Sequence, residues 1–381
     1  MNLLLHAPTI DGELSSYYER AFKDAVELFV VTAYLTEWDA SLELNPKCRS
    51  FRVIIGRDFG ITRKVACEKV LQWLPRERKA QFLVADRIGG FHPKAVFWRE
   101  KKGKCFAVVG SSNLTKAAFK TNYEANVFFP LSKSDYVKAK RWVKNIEKQS
   151  VVVSEDWLRK YKEAPLLGCG KKGSAKEQRD TAPVIALKLL NPKGMDKWLA
   201  VRRGQLAIYD KKRAGLIRLF RRCASGQINS EEFYNQLPTY WSREAGDRLQ
   251  RTGFERRGKG DDFQKLSISF LRILSTAPEE RDDVVVEEID RLAADKVTTR
   301  GAFLSEMLCL RFPEEYPISN KPVKDFLKDF EYEAPHGASE GSRYIHLALT
   351  LRLSLLQNPD HPAKNLAELD TSCLVSDKDN P

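Results

Sequence analysis

The sequence predicts two regions, a mixed α/β region followed by a mainly α-helical one. Short β-branched runs alternate with amphipathic stretches through residues 1–163, which is typical of an α/β fold. Residues 164–183 are rich in glycine, proline and charge, lack periodicity and are predicted to be a linker. From 184 to 381 the apolar residues recur mainly at helical spacing, with a possible subdomain boundary near residue 260.

The first region contains several apolar runs bounded by turn residues or helices. Strands are predicted over 28–35, 51–60, 80–86, 91–98, 105–111 and 123–129. Helices are predicted to begin at Ser15, to span 62–75 and end at Pro75, and to span 134–149 with Ser134 opening the last one. Because the strands are apolar throughout, we expect a sheet buried on both faces, in an α/β sandwich.

The second region reads as a series of helices. They are predicted over 194–237, 263–297, 299–313, 320–330 and 343–357. The polar tail from about residue 362 is expected to fray.

The composition is that of a soluble globular protein. The chain has 381 residues, 43% of them hydrophobic and 30% charged, and no apolar run reaches the roughly 20 residues of a membrane span. We therefore expect no membrane partner, and the N-terminus does not read as a secretory signal. Seven scattered cysteines without zinc spacing favour a reducing cytoplasm and no metal, and we expect no cofactor.

The positive charge is concentrated in one part of the chain. Residues 171–260 contain 21 Lys and Arg against 9 Asp and Glu, so this stretch carries +12 of the net +13. Such a surface attracts polyanions, and we expect it to bind DNA or another nucleic acid. The alternative is a solvated helix face. The candidate binding residues are Lys211, Lys212, Arg213, Arg221, Arg222, Arg256 and Arg257.

A candidate catalytic site lies in the first region. In a strand, His92 and Lys94 would share one face, because side chains alternate. After Gly110, Ser112 or Asn113 could cap a helix whose free N–H groups suit a phosphate. Glu124 would share a strand face with Asn122 and Asn126.

These groups suit phosphodiester cleavage without a metal. A neutral imidazole is a competent nucleophile, and Lys94 and Asn113 could stabilise the charge on a phosphate. Glu124 could orient the ring of His92, or could simply pair with Lys94. A second group must protonate the leaving oxygen, and no other histidine has a lysine two residues on. We therefore expect a homodimer in which a second chain supplies that group.

The pattern His92-x-Lys94, Gly110-Ser111-x-Asn113, Asn122-x-Glu124 resembles the signature of the phospholipase D superfamily, in particular its single-motif nucleases. The resemblance covers about residues 1–160. It implies a phospholipase D-like α/β/α sandwich and a phosphohistidine intermediate. It implies that His92 is the nucleophile, that Lys94 and Asn113 bind phosphate, and that Ser111, with Ser112 beside it, and Glu124 give support. Single-motif members act as homodimers that share one site.

The sequence departs from that signature at Arg99, where the family pattern has an aspartate. The departure favours a nuclease over a lipase, but it also fits a degenerate site. The sequence therefore favours a metal-independent endonuclease, in bacterial defence or DNA processing, whose C-terminal half binds DNA or a partner protein. The alternatives are a non-catalytic dimeric subunit for nucleic-acid binding or assembly, and a phospholipid hydrolase or transferase.

Overall fold

The computed structural model describes residues 1–8, 13–165, 189, 191, 194–244, 246–250, 254, 258–320, 323, 325, 327–328 and 332–376. The chain divides into two compact units. The first contains Met1–Ala186 with Glu333–Ala338, and the second contains Leu187–Tyr332 with Ser339–Pro381. Apart from residues 164 and 165, the predicted linker lies outside the described residues.

An eight-stranded sheet forms the first unit. Its strands are β1 (Asn2–His6), β2 (Ala25–Thr32), β3 (Ser50–Ile55), β4 (Phe82–Val84), β5 (Lys94–Glu100), β6 (Cys105–Gly110), β7 (Glu124–Leu131) and β8 (Val151–Val152). The order across the sheet is β1-β7-β6-β5-β2-β3-β4-β8, with β2, β3 and β4 parallel and the other pairs antiparallel. The mixed α/β prediction is confirmed for this unit, whereas the edge strands β1 and β8 were not predicted.

Helices of the first unit pack on both faces of this sheet. They are α1 (Leu14–Asp24), α2 (Lys64–Trp73), α3 (Lys116–Lys120), α4 (Lys133–Glu147) and α5 (Glu155–Lys160). The ring of Tyr17 in α1 packs against that of Phe128, with centroids 4.4 Å apart, and Phe128 stacks on Trp98. Phe97, which precedes Trp98 in β5, packs against Trp142 of α4, with ring centroids 6.1 Å apart. Because neighbouring side chains in a strand point to opposite faces, α1 and α4 cover different sides.

Ser134 does not open helix α4. The helix begins at Lys133, and the preceding residue, Ser132, is extended and accepts the backbone N–H of Asp135 with its hydroxyl at 3.1 Å. An extended residue just before the first helical turn is where a side chain can reach the free N–H groups.

The second unit is helical. Its helices are α6 (Met195–Ala224), α7 (Ser230–Gln236), α8 (Phe263–Ser275), α9 (Pro278–Ala294), α10 (Ala302–Arg311), α11 (Glu340–Gln357) and α12 (Leu366–Ser376). Most of the helix predicted over 320–330 falls outside the described residues. The prediction of a frayed tail is wrong for residues 362–376, because Leu366 and Leu369 of α12 are buried in a cluster with Leu199 and Leu351. Residues 377–381 lie outside the described residues.

Cys48, Cys67, Cys105, Cys223 and Cys309 are buried as thiols that form no disulfide. Among the described helices, none is both long enough and apolar enough to cross a membrane.

Candidate active site

The candidate site lies at one edge of the sheet, where neighbouring strands begin or end. Thr32 at the end of β2 pairs with Lys94 at the start of β5. Gly110 ends β6, and Glu124 at the start of β7 pairs with His6 at the end of β1. Since antiparallel neighbours run in opposite directions, these starts and ends meet at the same edge.

His92 lies in the loop before β5, not in a strand as the sequence predicts. The strand begins two residues later, at Lys94. The carboxylate of Asp58 holds this loop, because its Oδ2 accepts the backbone N–H of Gly90 at 2.8 Å and that of Phe91 at 3.1 Å. Phe91, the residue before His92, is buried, and this packing also holds the loop in place.

Lys94 contacts the imidazole of His92 directly. Its Nζ lies 3.1 Å from Nδ1 and 3.3 Å from Nε2 of the ring. The lone-pair directions of these two nitrogens diverge, so one ammonium at similar distances from both lies against the ring and not at the end of one nitrogen. The ring of Tyr34 packs edge-on against the same imidazole, with centroids 5.6 Å apart. Burial lowers the pKa of Lys94, and the nearby Glu124 carboxylate acts in the opposite direction.

The amide of Asn113 is fixed by the end of β2. Its Oδ1 accepts from the Thr32 hydroxyl at 3.1 Å and from the backbone N–H of Tyr34 at 3.2 Å. The backbone N–H of Leu114 donates to the same Thr32 hydroxyl at 3.2 Å. With its oxygen engaged on the strand, the amide has its NH₂ group as the part that can donate to a ligand.

Neither Ser112 nor Asn113 caps the helix that follows. α3 begins only at Lys116, and the Thr115 hydroxyl accepts the N–H of Ala118 at 3.3 Å. α3 has five residues, so the expected phosphate site at a helix start has no structural support.

Glu124 has two side-chain partners. The Ser111 hydroxyl donates to one carboxylate oxygen, and the Asn122 amide donates to the other at 3.1 Å. The Ser111 hydroxyl also accepts the N–H of Ala125 at 3.0 Å. Within the described residues neither oxygen of Glu124 bonds to His92. The network instead holds Ser111 to the carboxylate, whose charge acts on Lys94.

Ser112 is a structural residue of the sheet edge. It is 2% exposed, its hydroxyl accepts from the Asn126 amide at 2.7 Å, and its N–H donates to Asn126 Oδ1 at 3.3 Å. Asn126 is buried with it, and as the second residue after Glu124 in β7 it lies on the same face of that strand, as expected. Gly110 permits this packing, since a Cβ there would lie 2.4 Å from the carbonyl oxygen of Ala125.

His6 is a residue that sequence reasoning missed. It is 8% exposed, and its two ring nitrogens have no hydrogen-bond partner among the described residues. It lies directly opposite Glu124, but β1 is three strands from β5, or about 14 Å at the usual spacing. No local sequence signal identifies His6, because its neighbour Glu124 comes from a distant strand.

Arg99 lies away from the site. It is paired in register with Glu27 of β2 and forms an ion pair with it, and Lys140 approaches the same carboxylate at 3.3 Å. Arg99 lies five positions after Lys94 in β5, so their Cα atoms are about 17 Å apart. The departure from the family pattern at this position therefore does not touch the candidate catalytic groups.

The basic residues singled out in the second region do not form one set. Lys211, Arg213, Arg221 and Arg222 are exposed on α6, whereas Lys212 is half-buried. Arg213 is in an ion pair with Asp210 at 3.2 Å. Arg256 and Arg257 lie outside the described residues.

Aromatic residues near these charges belong partly to the core. Trp241 is 3% exposed and packs against Phe254 and Phe303 at 5.1 Å, so it is unavailable for stacking on bases. Its Nε1 donates to the buried carboxylate of Glu306 at 3.0 Å.

In the part of the chain that the structure describes, no group of three or more His, Cys, Asp or Glu side chains is placed to hold a metal ion.

Comparisons with known proteins give little. No protein-family model and no curated protein matches the sequence. Among solved structures, NucT from Helicobacter pylori is similar at 17% identity and a TM-score of 0.31, over 40% of this chain and 97% of that chain. A TM-score this low does not establish a shared fold.

Proposed function

We propose that the first unit is a phosphodiesterase that cleaves nucleic acid through a phosphohistidine at His92, as a nuclease-type member of the phospholipase D superfamily. The contact between Lys94 and the His92 ring, at a sheet edge that also carries Asn113 and Ser111, supports this most directly. A nucleophile, a cation and amide and hydroxyl donors are the groups that phosphoryl transfer needs.

In the first step a neutral nitrogen of His92 attacks phosphorus, forms the N–P bond and breaks the bond to the leaving oxygen. A protonated group on the opposite side gives that oxygen its proton. In the second step the same group, now a base, takes a proton from water, which attacks phosphorus and releases His92. Lys94 and the NH₂ group of Asn113 stabilise the charge on the non-bridging oxygens. No step in this scheme is assigned to a metal ion.

The opposite imidazole would come from a second copy of the chain. His6 is not assigned this role, because it is 8% exposed and its strand lies three strands, or about 14 Å, from β5. Apolar side chains on the other face of the same strands are exposed: Leu3 is 67%, Leu5 60% and Val109 39% exposed. An exposed apolar edge strand such as β1 favours contact with another chain.

Nucleic acid is the substrate class that the charge favours. The surplus of +12 over residues 171–260 suits a polyanion, and a phospholipid-processing enzyme has no need of it. The role in bacterial defence or DNA processing rests on the resemblance to the superfamily.

The test is nicking of supercoiled plasmid by the full chain in EDTA, comparing His92→Ala with the control His336→Ala. His336 is exposed and forms hydrogen bonds only through its backbone among the described residues, so its loss should leave nicking unchanged. His92→Ala should abolish nicking and keep DNA binding. Nicking by His92→Ala would contradict the proposal. If the wild-type chain binds DNA without cutting it, the non-catalytic alternative is favoured. If it hydrolyses phosphatidylcholine vesicles, the phospholipid hydrolase is favoured.

A further inference from the structure

One face of α6 carries exposed basic side chains in its C-terminal half. We name as the basic face Lys211, Ala214, Arg218, Arg221 and Arg222, all of which are exposed. At 100° per residue these positions lie within an arc of about 100°. The opposite side of the helix is buried through residues that include Leu216, Leu219, Phe220 and Cys223.

In the part of the chain that the structure describes, no carboxylate pairs with the charges of the basic face. Among the described residues, Lys211, Arg218 and Arg221 have no ion-pair or hydrogen-bond partner for their side chains, and Arg222 donates to the neutral amide of Gln236 at 2.9 Å. Many other arginines of the second unit are in ion pairs with Asp or Glu: Arg202, Arg203, Arg213, Arg272, Arg281, Arg291, Arg300 and Arg352.

A structural role accounts for only part of this face. Arg221 and Arg222 lie in the last turn of α6, where positive charge stabilises the helix dipole. Lys211 and Arg218 lie further from that end, where the dipole effect has faded. Arg221 and Arg222 lie three and four positions after Arg218, and like charges at that spacing repel and destabilise a helix. A bound polyanion would offset that repulsion.

We propose that the basic face binds the phosphate backbone of duplex nucleic acid, which deepens the proposed function and rests on it. None of the five residues of the basic face is aromatic, whereas surfaces for unpaired bases combine positive charge with aromatic side chains on which the bases stack. Its remaining position, Ala214, lacks the bulk of the large apolar residues that anchor a helix in a membrane surface. A face made of positive side chains and one small residue can approach the phosphates of a duplex closely. In this proposal Arg218 belongs to the binding surface and Arg213 does not.

The binding test uses the full chain carrying His92→Ala, so that the duplex is not cut. Fluorescence anisotropy of a labelled 20-base-pair duplex gives the binding constant at several salt concentrations. Each phosphate contact contributes about −0.9 to the slope of log K against log salt, so four contacts give about −3.6. Arg218→Gln should reduce the slope by about 0.9, and the combined Lys211→Gln, Arg218→Gln and Arg221→Gln variant by about 2.7.

Arg213→Gln is the matched control. It removes one positive charge from the same helix, but Arg213 is paired with Asp210 and lies outside the basic face. Its slope should equal that of the parent chain. Thermal unfolding of each variant checks the fold. The single Arg218→Gln variant replaces one exposed side chain that has no partner among the described residues.

Several results would overturn the inference: equal slopes for Arg218→Gln and the parent, equal effects of Arg218→Gln and Arg213→Gln, or absence of duplex binding. Binding to vesicles of phosphatidylserine in preference to the duplex would also overturn it. Failure of the nuclease proposal is distinguishable. A wild-type chain that cuts while the basic-face variants bind normally refutes only this inference, and binding through the basic face without any cutting refutes only the nuclease.

Discussion

Asn113→Asp is the substitution that most directly tests how the amide of this residue is used. Aspartate has the same shape, and its Oδ1 can still accept from Tyr34 N–H and the Thr32 hydroxyl, now found at 3.2 and 3.1 Å. The change replaces the NH₂ donor with a second oxygen, which would repel a phosphate. Loss of one such donor costs about 10²–10³-fold in kcat, or about 3–4 kcal/mol of transition-state stabilisation, and the added repulsion acts in the same direction.

The measurement is single-turnover nicking of supercoiled plasmid, with thermal unfolding in parallel. Asn45→Asp is the matched control, because the Oδ1 of Asn45 also accepts a backbone N–H, that of Lys47 at 2.9 Å. The substitution replaces an NH₂ group and adds the same negative charge to the same unit. We expect normal nicking from Asn45→Asp and an unchanged unfolding midpoint from both variants. Nicking by Asn113→Asp within a few-fold of the wild-type rate would refute the assignment of its amide to the phosphate.

Three further predictions follow. Nicking by the wild-type chain should persist in EDTA, and complete loss that magnesium restores would contradict the imidazole mechanism. In an equal mixture of wild-type and His92→Ala chains with random exchange, activity should fall to about a quarter, because each site needs two imidazoles; a fall to one half would mean that each chain holds a complete site. Burial raises the pKa of Glu306 from 4.5 to about 7. The folded chain therefore holds a proton there that the unfolded chain releases, and the free energy of unfolding should fall as pH rises from about 4.5 through 7, by up to about 3 kcal/mol. Glu306→Gln keeps an oxygen to accept the Trp241 N–H and should remove that pH dependence, so equal pH dependence in urea unfolding of both proteins would contradict it.

Some features could be read from local sequence because local geometry produces them. His92 and Lys94 are two residues apart, and their side chains meet even though the strand begins only at Lys94. The helices of the second unit follow from apolar residues at helical spacing, since a helix with one apolar face buries it wherever the chain packs. The polar tail was misread because the buried contacts of Leu366 and Leu369 come from other helices.

Other features were decided by the tertiary structure alone. Asn113 reads as a helix cap, but its oxygen is held by Thr32 at the end of β2. Ser112 reads as a helix cap or as a supporting residue of the site, but Asn126 holds it in the core. The contacts that decide these roles depend on strand pairing between distant segments, and register is set by hydrogen bonding and burial across the whole sheet.

Charge shows the same division. The sequence determined that residues 171–260 are strongly basic, and a cationic surface follows from that count alone. Only the folded chain decided that Arg202 is in an ion pair with Asp370, which lies in a distant helix, while Arg218 has no carboxylate partner among the described residues. The physical reason is distance: a charge is neutralised by a carboxylate within a few ångströms, and folding, not sequence position, brings most such neighbours together.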